Sequence, residues 1–596
     1  MASVSRCYAI SMSLGAIPAR KGLPNIGHSY EVDERNPMKD LPIGVLCAVF
    51  AIAAITMRCA GGPLENSSSL QLSLRSGLLD VLWSYPAQEE QSTTFMVDDW
   101  AGVPDFNENI SGVLATGEDG EAFHVEHPES HSWVVHHDGK PFNLSYQVTS
   151  PKDSFIGKGR TGAYQPTLIK QRALLWGHSF VLYPTSDTLF DLPVRTSISS
   201  SEYANPQASW DLNEPQPMND VINGLLAAGD YRTIVKKIMN TPVTILASGS
   251  NWRFTDEEFV STVGKILQLQ ADSMGFYPAP RLMIALMEGN DSHTGGSVGR
   301  HAMFIYPNPK NQLEDEELST LRLISHENFH VWNGQHLHPS ADHGEGYYNW
   351  FHEGVTDYVA NWTLYKAGLM SDEGFVRWAN NVLQEYQTSP IAFTATADDL
   401  AEHYWASSDH QRLPYVKGAA AALLIDLRMR EETDGEFGLI HFVKSLAVES
   451  SPNGYQRSDL SDGLAKLSGK DWRAFLDQYV WGAEALPFER LFDKFGVSHE
   501  RKSTPKFDLG YTAEGSPISG QVVHVSPDSS ADKAGLHVGD QILGGSIRFG
   551  DPARKVSLMI DRDGDRHTLE YFPSVDADLI NILPSKGTVQ SFRRLK

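Results

Sequence analysis

Leu321-Arg322-Leu323-Ile324-Ser325-His326-Glu327-Asn328-Phe329-His330-Val331-Trp332 decides how the rest of this chain is read. It contains His-Glu-x-x-His. In a helix, His326 and His330 leave the same face one turn apart. That spacing lets two imidazole nitrogens meet one zinc ion at about 2.0–2.1 Å. Glu327 stands beside them, placed to take a proton from water activated there. The flanking residues favour a helix: Leu318, Leu321, Ile324 and Trp332 recur at helical spacing. Glu314, Asp315, Glu316 and Glu317 cluster at its expected start, where carboxylates suit the helix dipole.

A second helix-like run covers 347–362, with Gly368 as its stop. A catalytic zinc takes three protein ligands and keeps one position open for water. Glu353 in this run is the expected third ligand; Glu345, in the loop Gly344-Glu345-Gly346, competes with it. Asp357 lies one turn beyond Glu353 and is expected to accept the free N–H of a liganding imidazole, fixing its tautomer. His336, His338, His343 and His352 crowd the motif and read as surface or core residues.

His326-Glu327-Asn328-Phe329-His330-Val331-Trp332-Asn333, followed by Trp350-Phe351-His352-Glu353-Gly354-Val355-Thr356-Asp357-Tyr358, resembles the gluzincin metallopeptidases. Among them it most resembles the glycyl aminopeptidase family, whose members join a thermolysin-like catalytic domain to a C-terminal PDZ domain. The Glu-x-x-x-Asp of 353–357 is similar to thermolysin's third-ligand motif. The resemblance covers most of the chain after about residue 120. It implies one Zn2+ per chain, peptide substrates, and removal of small N-terminal residues such as glycine. Pro414-Tyr415-Val416-Lys417-Gly418 resembles the segment that supplies a catalytic tyrosine in gluzincin aminopeptidases, so Tyr415 is implied to hydrogen-bond the oxyanion.

One departure bears on specificity. The family carries, in a glycine-rich stretch before an edge strand, a glutamate that binds the substrate's free amine. Here Gly295-Gly296 is followed by Ser297-Val298-Gly299. Exopeptidase and endopeptidase activity therefore stay open. Gly295, Gly296 and Gly299 are expected to let a substrate backbone approach closely as an added strand, an ordinary glycine turn being the alternative. Two other readings remain: an inactive peptidase scaffold that binds peptides through its PDZ domain, and hydrolysis of a non-peptide bond at the same zinc.

The expected fold class is multidomain α+β, and 596 residues suit three or four domains. Residues 1–63 read as a signal peptide or membrane anchor, built on the apolar run 41–57, with Met38 as a candidate true start. The protein is then exported, periplasmic or extracellular, and possible anchoring runs through 41–57. Cys7, Cys47 and Cys59 all fall in this segment, so a mature chain has no thiolate to offer a metal. Short alternating strands between Gly, Pro and Asp turns make 64–250 a β-rich domain, read as a β-sandwich. Residues 251–500 form the thermolysin-like, mostly helical catalytic domain, opening with a helix capped by Thr255 or Asp256. Residues 505–596 resemble a PDZ domain of unknown ligand, carried by the strand–helix–strand pattern of 522–543. The balance of 49 Lys+Arg against 74 Asp+Glu gives a net charge of −25, which excludes nucleic acid as a natural partner.

Overall fold

The computed structural model describes residues 67–596 except 101–102, 152–163, 289–293, 316, 341, 345, 452, 515–516, 549–551 and 596. The apolar run 41–57, the three cysteines and Glu345 lie outside the described residues. No described helix is long and apolar enough to cross a membrane.

The N-terminal part is β-rich. Strands Ser68–Arg75, Leu78–Tyr85 and Phe142–Thr149 alternate buried and exposed positions, the period a half-buried sheet demands. They belong to a nine-stranded sheet. A four-stranded sheet, including Arg172–Trp176 and Leu225–Gly229, contributes to the same apolar core, with Leu72, Trp83, Phe142 and Leu174 among its members. Met218–Ile222 is a short helix, and strands follow at Leu225–Gly229 and Arg232–Ile238.

A five-stranded mixed sheet comes next, in the order Arg232–Ile238, Thr241–Ala247, Leu282–Leu286, Ala302–Tyr306, Gly295–Gly299. Its inner strands Leu282–Leu286 and Ala302–Tyr306 are buried on both faces. Val243, Ile245, Ile284 and Ile305 join the helical core, while Leu246, Met283, Ala285 and Phe304 join the N-terminal core. This two-sided burial explains why 281–287 is apolar without alternation. Gly295–Gly299 is the outer strand, antiparallel to Ala302–Tyr306.

Helix Asp256–Met274 begins at a capping box in which Thr255 and Glu258 satisfy each other's backbone N–H, and it buries Phe259, Val263, Ile266 and Leu267. The first motif helix is Ser319–Phe329. Its start is held by Asp315, which accepts from Ser319 N at 3.1 Å. The second motif segment opens as a wide π turn, Trp350–Val355, and continues as helix Thr356–Lys366. Gly368 follows with φ +74°, the left-handed conformation that ends helices. Tyr415 lies inside one long helix, Ser408–Glu432, that contains Pro414.

The C-terminal part departs from a simple appended module. Strand His499–Phe507 leaves the helices and pairs along its whole length with Ser574–Ile582, so the chain goes out and comes back. Between them a five-stranded sheet encloses a small separate core of Val522, Leu536, Ile542, Leu558 and Ile560. The returning strand is held by amides of helix Asp372–Thr388. Asn380 brackets Ile582 at 2.7 and 2.9 Å, and Gln387 brackets Ile580 at 2.8 and 3.1 Å. Phe592 and Leu595 then enter the helical core.

Candidate metal centre

The two motif helices bring three donors together. His326 and His330 place their Nε2 atoms 3.0 Å apart. Glu353 Oε2 lies 3.3 Å from His326 Nε2 and 3.6 Å from His330 Nε2. Donors about 2.0–2.2 Å from a tetrahedral zinc stand roughly 3.3–3.5 Å from one another. The three edges, 3.0, 3.3 and 3.6 Å, scatter about that size. His330 Nδ1 sits 2.9 Å from the carbonyl of Asn333, which can only accept, so Nδ1 carries the proton and Nε2 presents its lone pair inward. Neither Glu353 oxygen has a hydrogen-bond partner, although the side chain is fully buried. A shared cation resolves both features. His326, His330 and Glu353 could therefore hold a metal ion, as the sequence pattern predicts.

Electrostatics follows from the same packing. Burial alone would raise the Glu353 carboxyl; attraction to the imidazoles, His330 first, outweighs it and holds the group below its ordinary range. Burial lowers His326. In His330 burial again lowers the ring, but Glu353, Glu327 and the Asn333 carbonyl together outweigh it and raise the ring. His352 is buried too, stacks on His330 with centroids 4.8 Å apart, and is pushed by burial down to about 3. It is a neutral core residue, as read from the sequence.

The other expected residues fall unevenly. Glu327 is fully buried and near enough to act electrostatically on His330 and Tyr415. The Tyr415 ring lies 6.3 Å from that of His326, nearly parallel to it. Burial, then the charge of Glu353, push its phenol well above the usual value and keep it a donor. Asp357 does not make the expected bond: its Oδ1 is 3.9 Å from His326 Nδ1, beyond hydrogen-bonding reach. The ring that is oriented directly is His330, by a backbone carbonyl.

The glycines have reasons of their own. A Cβ on Gly295 would strike the Tyr306 ring, and one on Gly296 would lie 2.6 Å from Phe304 O. At Gly299 it would strike Trp176 and the carbonyl of Asn223. Packing within the chain accounts for all three without a substrate.

Sequence reasoning passed over several positioning residues. Asn333 donates from Nδ2 to Phe351 O at 2.8 Å and lies 3.1 Å from Thr356 Oγ1, pinning the segment that carries Glu353. Gly354 and Gly418 meet backbone to backbone: a Cβ on Gly418 would lie 2.8 Å from Gly354 Cα. This contact lets helix Ser408–Glu432 cross directly over the metal-binding segment and brings Tyr415 in. Gln270 donates to Ser325 O at 2.8 Å and accepts from Asn328 at 2.7 Å, fastening helix Asp256–Met274 to the first motif helix. The only available signal was a buried amide or glycine at a position where periodicity calls for an aliphatic residue.

Residues 319–419 match the model of the M61 glycyl aminopeptidase family. An aminopeptidase N family protein from Idiomarina loihiensis has a similar fold, with a TM-score of 0.68 at 18% identity over 88% of this chain and 100% of that one. An M1 zinc metallopeptidase from Deinococcus radiodurans aligns at a TM-score of 0.44 and 13% identity, over 71% of this chain and 95% of that one. A search of curated protein sequences gave no match.

Proposed function

We propose that this zinc metallopeptidase, whose catalytic segment resembles the glycyl aminopeptidases, releases glycine and other small residues from peptide N-termini. The observation that carries the reading is the closed triangle of buried donors, His326, His330 and Glu353, with Glu327 beside it. These three residues would hold one zinc ion. When bound, the ion supplies Lewis-acid polarisation of the scissile carbonyl and makes water more acidic. Glu327 takes the proton of the attacking water and passes it to the leaving amine. Tyr415 donates to the oxyanion of the tetrahedral intermediate. The outer strand Gly295–Gly299 would receive the substrate backbone as an added strand. Asp357 would set the charge around His326 from 3.9 Å rather than by a direct bond.

The apolar run 41–57 would direct export, with retention at the membrane if it is not removed. The strand Gln521–Val525, short helix Ser530–Lys533 and strand Gln541–Ser546 would form the core of a PDZ-like domain.

A peptide-library digest with and without chelator, read by mass spectrometry, tests the whole. The expected product series loses one N-terminal residue at a time and stops with chelator. Internal cuts in N-terminally blocked peptides would instead make the enzyme an endopeptidase. Absence of any chelator-sensitive hydrolysis would leave only the inactive scaffold.

A further inference from the structure

A second group of metal-type ligands lies on the N-terminal sheet. Strands Ala122–Glu129 and Ser132–His136 pair antiparallel, with His124 opposite His136. Side chains two apart on a strand share a face, so His124 and Glu126 point the same way. Phe123, Val125 and Val135 occupy the intervening positions and pack toward the core, which fixes that face outward. The three ligand side chains converge there. Glu126 Oε1 lies 3.4 Å from His124 Nε2 and 3.3 Å from His136 Nε2. The two rings stack at 5.4 Å and 19°. All three donor atoms fall within 4.8 Å of one another. His136 Nε2 is shut off from solvent and makes no hydrogen bond.

We infer that His124, Glu126 and His136 form a second, exposed metal site that takes Zn2+ or another borderline divalent ion such as Cu2+. Two imidazoles and one carboxylate suit those metals rather than Ca2+ or Mg2+, which prefer oxygen. Two of the three donor separations match the roughly 3.3–3.5 Å edge of a tetrahedral zinc site. Three donors from one sheet face leave at least one position to water. The ion bridges the strands just before their pairing slips between Glu126 and Glu129. It therefore acts as a staple on this hairpin, independent of the catalytic centre.

The test is a metal count. Chelator-stripped full-length chain is dialysed against Zn2+, and bound metal is measured by mass spectrometry. The wild type should hold about two ions per chain, and His136→Gln and Glu126→Gln about one each. His326→Ala should also fall to about one. With Cu2+ as the probe, His326→Ala should give an electron paramagnetic resonance signal with two nitrogen ligands, and adding His136→Gln should abolish it. Zn2+ should raise the melting temperature of His326→Ala but not that of the double variant. A wild-type count that saturates at one overturns the site, as does a count unchanged in both His136→Gln and Glu126→Gln.

Discussion

His326, His330 and Glu353 offer the same donor types as His124, Glu126 and His136, in opposite surroundings. The first set comes from two helices, uses the i, i+4 spacing, and is almost wholly buried. The second comes from a hairpin, uses the i, i+2 spacing with a cross-strand partner, and faces solvent. Donor chemistry is therefore common to both, and burial separates them. Out of water, a carboxylate beside the metal site can serve as a base and a phenol can stay a donor near a developing charge. On the exposed face, water screens the same groups, and the ion proposed there would hold strands together.

Substitutions sharpen that contrast. The largest effect is expected from Glu327→Gln, which removes the buried base and leaves the three ligands. Peptide hydrolysis should fall by at least ~10²–10⁴ while zinc content, measured by mass spectrometry, stays as in wild type. Near-normal turnover would mean that burial at this position serves folding alone. Tyr415→Phe keeps the ring and removes one donor, so kcat should fall by ~10²–10³. A change in KM alone would place Tyr415 in substrate binding instead.

Gly418→Ala probes the helix crossing. Its new methyl meets Gly354 Cα and the Trp350 carbonyl, backbone atoms that cannot swing aside. Denaturant unfolding should show a loss of about 1–3 kcal/mol, with reduced activity as Tyr415 is displaced. Unchanged stability would show that the helices separate at little cost.

A further effect concerns Lys417. Burial lowers its ammonium from 10.5 to about 8, while its Nζ donates to Gly482 O at 2.6 Å. Because the folded pKa lies below the unfolded one, the unfolded chain binds more protons between about pH 8 and 10.5. Stability should therefore rise with pH across that window in the wild type, by roughly 1–3 kcal/mol. Lys417→Met should flatten the rise in pH-dependent denaturation. An unaltered slope would assign it to other groups.

The helical donor set was legible in the chain because helix periodicity is local. His326, Glu327 and His330 fix one another's relative placement through a single turn, and Thr255 marks a helix start by its own hydroxyl. The exposed set was not legible. His124 and His136 become neighbours only through strand register, and a slip of one residue would turn them to opposite faces. Asp357 shows the same limit: helical spacing gave its face, and side-chain packing left it 3.9 Å from the ring it was expected to bond.

By itself the sequence determined which residues share a turn, which segments are buried, and what chemistry the buried donors allow. Only the tertiary structure decided how Gly354 and Gly418 let two helices touch, how Asn380 and Gln387 draw the C-terminal strand back onto the helices, and which strand histidines meet. The reason is range. Backbone geometry acts over a few residues, whereas these contacts join positions far apart in the chain whose meeting depends on the packing of everything between them.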